Sequence, residues 1–211
     1  MQVTMDMTQK SRLIEEINRE ISNCARCKSG PGTGTTPVFP RGNPDASCML
    51  IGEGPGEQEE LEQRPFVGAA GKLLEKTLLE LGYEVERDFY ITNIVKYRSF
   101  KDLTGGKRAN KPPTVAQITA GRDILEREIS IVSPKLVVAL GAKASQWFLG
   151  KDFRLTQDRG KFYDWRGLIV LPTYHPAAIL RAYTGEGRDR LENFRADLEK
   201  IKEIVRPGKA A

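Results

Sequence analysis

Short apolar runs alternate along the chain with segments of helical periodicity. The runs occupy residues 48–52, 89–95, 135–140 and 168–173. Strands that are continuously apolar and separated by helices are typical of a parallel sheet whose two faces are both covered. The pattern therefore predicts an α/β fold, in which a four-stranded parallel sheet lies inside a single three-layer α/β/α domain over residues 1–211.

Apolar residues spaced three and four positions apart predict the helices that cover this sheet. The expected helices are residues 8–22, 70–81, about 115 to 132, a segment ending at 148, and a last helix with apolar positions from 191 to 205. Thr114 and Gln117 form the capping-box pattern of a helix start. The Gly- and Pro-rich residues 29–46 are expected to form a loop, and residues 207–211 a flexible end.

Composition indicates a soluble globular protein. Of its 211 residues, 39% are hydrophobic and 29% are charged. No run approaches the roughly 18 apolar residues of a membrane span, and residues 1–23 lack the apolar centre of a signal peptide. Three cysteines do not make the disulfide framework of a secreted protein. We therefore expect a cytoplasmic monomer with no membrane partner.

Basic side chains are concentrated in one stretch of the chain. The net charge of +5 permits a polyanionic partner without requiring one. The stretch contains Lys96, Arg98, Lys101, Lys107, Arg108 and Lys111, together with Gly105-Gly106 and Pro112-Pro113. We interpret it as a basic loop that contacts nucleic-acid phosphates, and a merely solvated loop is the alternative interpretation.

Two short segments at strand ends carry the candidate chemistry. Gly52-Glu53-Gly54-Pro55-Gly56 closes the first strand, and His175, the one histidine of the chain, follows the fourth. In open α/β sheets, ligands bind in the crevice at the carboxyl ends of the strands. These segments therefore predict a site, whereas an ordinary tight turn and a surface histidine are the alternatives. The turn lacks the spacing of a nucleotide-binding glycine fingerprint.

Three further features suggest a ligand with a flat, polar-edged ring. Phe66 is placed to stack on such a ring, or else it fills the core. Asn93 lies in an apolar strand, where its amide either reads the edge of a nucleobase or ties neighbouring loops together. Ile179-Leu180-Arg181 combines an apolar tip with a cation, which suits insertion into a base stack beside a phosphate. Together they predict a pocket for an extruded base.

In their order and spacing these segments resemble the uracil-DNA glycosylase superfamily, especially its iron–sulfur branch (family 4) and the DNA-crosslinking X-type relative. The motifs are Gly52-Glu53-Gly54-Pro55-Gly56, Pro65-Phe66-Val67-Gly68, residues 91–96, residues 137–141 and His175-Pro176-Ala177-Ala178. The likeness extends from about residue 24 to residue 205. Residues 150–160 and the long basic loop resemble the X-type relative specifically.

The resemblance implies hydrolysis of the N-glycosidic bond of deoxyuridine in DNA, which starts base excision repair. It implies that Glu53 and Gly54 position the water and hold the uracil edge. Phe66 would stack on uracil and Asn93 would read its polar edge. His175 would stabilise the charge that develops on a uracil carbonyl, and such preorganised donors are usually large catalytic contributions.

For DNA binding, the resemblance implies that Ile179-Leu180-Arg181 intercalates and that Lys107 and Arg108 contact the phosphates. In the X-type relative, a histidine of the basic loop captures the sugar covalently. Asn110 takes about that position here, and its amide is not a comparable nucleophile. We therefore expect the protein to release its product without a lasting crosslink.

The resemblance also implies a [4Fe-4S] cluster held by four ligands, of which this chain matches two. Cys24 and Cys27 align with two ligands, whereas Tyr97 and Gly121 stand at the other two positions. Glycine has no side chain to ligate, and four cysteines are the norm for such a cluster. An intact cluster is therefore doubtful, and Cys24 and Cys27 are its two candidate ligands.

Three rival functions remain open at this stage. A uracil-DNA-binding protein with little catalysis is the first, because Gly54 supplies no carboxylate, and Glu53 is the residue that discriminates. A glycosylase for another deaminated base is the second. A nucleotide-binding α/β protein is the third, although the chain lacks the P-loop lysine motif.

Overall fold

The computed structural model describes residues 5–182 and 185–205, so the end expected to be flexible, residues 207–211, lies outside them. The helices are α1 (Met7–Asn23), α2 (Glu57–Glu62), α3 (Ala69–Glu80), α4 (Val85–Asp88), α5 (Val115–Val132), α6 (Ala142–Leu149), α7 (Leu155–Asp158), α8 (Pro176–Leu180), α9 (Gly185–Glu199) and α10 (Ile201–Val205). The strands are β1 (Thr33–Pro37), β2 (Arg41–Gly42), β3 (Cys48–Gly52), β4 (Phe89–Asn93), β5 (Tyr97–Asp102), β6 (Arg108–Asn110), β7 (Leu136–Leu140), β8 (Tyr163–Trp165) and β9 (Leu168–Thr173).

The main sheet has the order β2-β4-β3-β7-β9-β8. Its four central strands are the four predicted ones, and they pair in parallel. The predicted count of four strands is corrected to six, because β2 and β8 pair antiparallel at the two edges. Both edge strands are short and only partly buried, and neither has the apolar run that revealed the central strands.

A second sheet corrects two predicted loops. Strands β1, β5 and β6 form it in the order β1-β5-β6, and β5 and β6 are the two arms of a hairpin. The predicted loop over residues 29–46 therefore contains β1, and the predicted basic loop is largely this hairpin. Its strands carry charged and polar residues, so the sequence shows neither an apolar run nor a regular alternation there.

Helices cover both faces of the main sheet, which confirms the layered α/β arrangement. Alternate residues of β3 point to opposite sides: Met49 and Ile51 join a core with α1, α5 and α6. Cys48 and Leu50 join a second core with α3, α9 and α10. The last predicted helix is divided into α9 and α10. In the described part of the chain, no helix is both long and apolar enough to cross a lipid bilayer.

A buried ion pair anchors the carboxyl end of β4. Lys96 falls within the predicted basic loop, but its side chain is buried. Its ammonium nitrogen lies 2.7 Å from Glu128 Oε2, 2.6 Å from Thr92 Oγ1 and 2.8 Å from the carbonyl oxygen of Asn93. Burial lowers the pKa of Lys96 and raises the pKa of Glu128, and the attraction between the partners opposes both shifts. Lys96 is therefore a structural cation and not a phosphate contact.

We predict that Lys96→Met destabilises the protein, because it leaves the Glu128 carboxyl buried without its cation. The expected loss in the free energy of unfolding is about 3–5 kcal/mol. The double variant Lys96→Met/Glu128→Leu should recover most of it, because paired apolar side chains need no compensating charge. Urea denaturation of the three proteins measures this, and a single variant as stable as the parent would contradict the role of the pair.

Candidate active site

The glycine-rich turn after β3 forms one wall of a cleft at the carboxyl edge of the sheet. The turn is tied to the segment after β4 by the amides of Ile94 and Val95, which donate to the carbonyl oxygens of Gly52 and Glu53 at 2.9 Å and 3.2 Å. A Cβ at Gly52 would lie 2.4 Å from Asn93 Oδ1 and 2.7 Å from the Phe66 ring. Glycine is therefore required there, because the two predicted base-binding side chains approach its backbone directly.

Glu59 fixes the loop that carries Phe66, and sequence reasoning missed it. One carboxylate oxygen accepts from the amides of Val67 and Gly68 at 3.0 Å and 2.8 Å, and the other accepts from the amide of Gly56 at 3.1 Å. Phe66 itself has a φ of 56°, which few L residues adopt, so the loop needs such support. In the sequence, Glu59 lies three residues after Gly56, which is the spacing of a capping box, and this spacing was the available signal for Glu59.

Arg41 is a second side chain that holds the loop around Phe66. Its side chain is 8% exposed, its Nε donates to the carbonyl oxygen of Pro65 at 3.0 Å, and its guanidinium pairs with Glu86. The turn around Phe66 is thus held by one anion and one cation. These contacts agree with the predicted stacking role of Phe66, because a ring whose position is set in advance loses less conformational freedom on binding.

His175 faces Phe66 across the cleft. The two ring centroids are 5.8 Å apart and the rings are inclined by 29°. His175 caps α8, and its Nδ1 accepts from the amide of Ala177 at 3.1 Å. A neutral imidazole that accepts at Nδ1 carries its proton at Nε2. Burial lowers the pKa of His175 to about 4, with a further contribution from Arg181, so the ring is a neutral donor at pH 7.

Two buried polar atoms of the cleft have no hydrogen-bond partner in the described part of the chain. They are Glu53 Oε1 and Asn93 Oδ1. Unpaired buried polar atoms are rare in native proteins, and they indicate a place for water or ligand. Burial also raises the pKa of Glu53, and the nearby cations Lys143 and Arg181 oppose that shift. The cleft therefore offers an acceptor on Asn93 and a desolvated carboxyl on Glu53.

The cleft has a volume of about 890 Å³ and brings the predicted site residues together. Its lining includes Glu53, Gly54, Phe66, Asn93, Asn110, His175 and Arg181. It also includes Lys143 and Arg154, two exposed cations that sequence reasoning missed. Lys143 lies two residues after Gly141, at the end of β7, and this position at a strand end was the signal for it.

The remaining predicted DNA-binding residues are distributed around this cleft. Lys107 and Arg108 are exposed on the hairpin and line a neighbouring groove. Arg108 is partly engaged within the protein, since its guanidinium lies 4.2 Å from the centroid of the Phe100 ring and its Nε lies 3.3 Å from Asp102. Lys107 is therefore the less constrained of the two cations.

The predicted intercalating loop is largely the short helix α8. Ile179 is only 6% exposed and packs in the core with α3 and α9, whereas Leu180 is 53% exposed and Arg181 is exposed beside it. The outward-facing part of this segment is therefore Leu180 and Arg181. Ile179 instead anchors the helix behind His175.

The residues present do not fit the implied iron–sulfur cluster. The sulfur atoms of Cys24 and Cys27 are joined in a disulfide. The hydroxyl of Tyr97 donates to the carbonyl oxygen of Ile21 at 2.7 Å, and burial raises its pKa to about 12. At the fourth position, a Cβ on Gly121 would lie 2.4 Å from a backbone carbonyl oxygen. Among the described residues, no group of His, Cys, Asp or Glu side chains is arranged to hold a metal ion.

Known proteins resemble this chain over most of its length. A sequence profile of the uracil DNA glycosylase superfamily matches residues 39–199. A type-4 uracil-DNA glycosylase of Sulfurisphaera tokodaii is 40% identical over 201 residues, which cover 91% of this chain and 84% of that protein. One from Thermotoga maritima is 36% identical over 202 residues, covering 95% and 98%. The crystal structure of wild-type Pedobacter heparinus SMUG2 matches with a TM-score of 0.54 at 13% identity, over 92% of this chain and 98% of that one, which supports the fold.

We predict that His175 titrates near pH 4. Because it is the one histidine of the chain, its imidazole gives a single set of NMR resonances. The unfolded chain binds this proton near pH 6.5, so the contribution of His175 to stability is present above that pH and is lost as the pH falls towards 4. Arg181→Gln should raise the midpoint, and a parent midpoint near 6.5 would contradict the desolvated placement.

We predict that Tyr97→Phe lowers the free energy of unfolding by about 0.5–1.5 kcal/mol, because the carbonyl oxygen of Ile21 loses one donor and keeps the amide of Cys24. We also expect the purified parent to contain no stoichiometric iron and to show no visible absorption of a cluster. Thermal denaturation and metal analysis of anaerobically purified protein measure the two effects. A full complement of cluster iron in the parent would show that the Tyr97 contact is not the native arrangement.

Proposed function

The chain belongs to the uracil-DNA glycosylase superfamily, and we propose from this membership and the cleft that it hydrolyses the N-glycosidic bond of deoxyuridine in DNA. One observation carries the proposal. A stacking ring, a neutral imidazole donor, an unpaired amide oxygen and a half-buried carboxyl meet in one cleft at the carboxyl edge of the sheet. Its volume of about 890 Å³ is within the range of small-molecule sites.

The cleft binds the base through its flat face and its polar edge. The ring of Phe66 supplies the stacking surface. Asn93 Oδ1, which has no partner among the described residues, accepts a hydrogen bond from an N–H of the base. The backbone of Gly54 approaches the same space, where a Cβ would lie 2.6 Å from Val95. Such an arrangement recognises a base that has been extruded from the helix.

The reaction breaks the bond between C1′ of the sugar and N1 of uracil, and the oxygen of water takes the place of N1. The electron pair of the broken bond leaves with uracil, and negative charge develops on its carbonyl oxygens. The Nε2–H of His175 donates to such an oxygen, and a neutral donor in a desolvated site stabilises that charge well. The attacking water gives up one proton as it forms the sugar hydroxyl, and uracil takes up one proton after it leaves, so the protons balance.

Glu53 acts on the sugar side of the same bond. Its carboxylate form holds the attacking water and balances the positive charge that develops on the sugar. Burial disfavours this form, whereas Lys143 and Arg181 favour it. Two titratable groups in one cleft therefore have separate roles, a neutral donor and a carboxylate, because their surroundings differ.

DNA would approach along the exposed cations at the mouth of the cleft. Lys143, Arg154 and Arg181 are exposed there, and Leu180 projects beside Arg181. Cations at these positions attract phosphates, and an exposed leucine suits insertion between bases. Lys107 on the hairpin extends this basic surface beyond the cleft.

We also propose that the enzyme acts as a monomer in the cytoplasm and leaves an abasic site without cutting the strand. Strand cleavage by a glycosylase needs an activated amine, and amines are activated by desolvation or by a neighbouring cation. Lys143 lines the cleft but is exposed to solvent. Asn110, at the position of the implied crosslinking residue, carries an amide and no nucleophile, so the product is released.

We predict that the protein releases uracil from an oligonucleotide with one deoxyuridine, and that His175→Ala lowers the single-turnover rate by about 10²–10³-fold. Because His175 also caps α8, the matched variant is His175→Asn, which keeps a capping acceptor but removes the ring donor. Both variants should bind the oligonucleotide nearly as well as the parent. Gel analysis before and after alkali separates base release from strand cleavage.

Two outcomes would contradict this function. An oligonucleotide that stays intact through alkali after long incubation with excess parent protein favours the uracil-DNA-binding alternative. A His175→Asn rate within twofold of the parent would remove His175 from the catalytic machinery.

A further inference from the structure

We propose that Asn110 is a fixed hydrogen-bond donor that binds a sugar–phosphate oxygen of the nucleotide in the cleft, and that Arg98 is the positioning residue that orients its amide. The inference rests on the proposed function, because it names a contact of the same substrate. It starts from the hairpin formed by β5 and β6, because Asn110, the last residue of β6, lines the cleft.

Arg98 is a buried cation engaged within the protein. Its side chain is 4% exposed, although the sequence suggested a member of a basic loop. Its Nη1 lies 3.1 Å from Glu57 and 3.5 Å from Glu60, both in α2, which follows the glycine-rich turn after β3. Its Nε donates to Asn110 Oδ1 at 2.7 Å. The guanidinium is therefore held by α2 on one side and holds Asn110 on the other.

This contact decides which way the amide of Asn110 points. A guanidinium has only donors, so the group it meets on Asn110 must be the carbonyl oxygen. The amide nitrogen then points away from Arg98. A Cβ built on Gly56 would lie 3.2 Å from Asn110 Nδ2, which places this nitrogen at the end of the glycine-rich turn after β3. Within residues 5–182 and 185–205, Nδ2 has no hydrogen-bond partner.

Depth in the cleft indicates the part of the nucleotide that Asn110 meets. Phe66 and Asn93, which face the base, are 5% and 4% exposed. Asn110 lines the same cleft but is exposed at its mouth. When the base lies on Phe66, its sugar and the flanking phosphates lie towards the mouth. Those groups offer oxygen acceptors, and a donor oriented in advance loses little rotamer freedom on binding.

The test is single-turnover kinetics on uracil-containing DNA with Asn110→Ala and Asn110→Asp. The second variant keeps an oxygen for Arg98, and it replaces the cleft-facing donor with an anionic acceptor. We expect Asn110→Ala to raise the enzyme concentration for half-maximal rate about tenfold, the loss of one hydrogen bond, and Asn110→Asp to raise it at least as much. The maximal rate should stay within about twofold, because the contact holds substrate and transition state alike. Asn23→Asp, at an exposed position at the end of α1, is the matched control and should leave both quantities unchanged.

Arg98 is tested by its dependence on Asn110. Arg98→Met should also raise the half-maximal concentration, by severalfold, because the freed amide rotates. In the Asn110→Ala background the same change should have no further effect, since Arg98 acts through Asn110. A merely structural role of Arg98 would give the same added loss in both backgrounds, and that result would overturn its assignment.

Substrates with a neutral methylphosphonate at the 5′ or the 3′ phosphate identify the oxygen. If Asn110 binds a phosphate, one of the two methylphosphonates raises the half-maximal concentration of the parent to that of Asn110→Ala. If Asn110 binds the sugar, the parent and Asn110→Ala still differ in half-maximal concentration with both modified substrates. Half-maximal concentrations within twofold of the parent for both Asn110 variants, or a fall in maximal rate alone, would overturn the proposal. Failure of the parent to release uracil would instead overturn the proposed function.

Discussion

The parallel register of β3 and β4 is the constraint on which the site depends. It pairs Gly52 with Asn93, so the two strands end side by side. The turn after β3 and the amide of Asn93 are then brought to one point, where any side chain at residue 52 would displace Asn93 and Phe66. The Lys96–Glu128 pair keeps the end of β4 in that register by holding the carbonyl oxygen of Asn93. A slip of one residue would turn Asn93 to the other face of the sheet.

Charge in this protein is used in two distinct ways. Buried cations support the site: Lys96 holds β4, Arg41 holds the Phe66 loop and Arg98 orients Asn110. Exposed cations lie around the cleft, where we propose that they contact the DNA. The number of lysines and arginines therefore overstates the basic surface, because some of these cations are buried against glutamates inside the fold.

Hydrogen bonds and a disulfide hold the region in which the resemblance implied a metal cluster. The Tyr97 hydroxyl joins β5 to the end of α1, and Gly121 lets α5 approach the backbone after β4. These contacts join the same elements that a cluster would bridge. The fold of this region thus rests on the disulfide, the Tyr97 hydrogen bond and the close approach at Gly121, and the chemistry proposed for the cleft uses none of these residues.

The sequence by itself determined the four parallel strands and the site residues at their ends, because a continuous apolar run reveals a buried strand and parallel strands all end at one edge. It therefore placed Glu53, Asn93 and His175 near each other. Only the tertiary structure decided that Lys96 and Arg98 are buried, that Ile179 belongs to the core and that Glu59 supports Phe66. Each of these depends on a partner distant in sequence or on a loop path, and local pattern carries no information about which side chains meet across the fold.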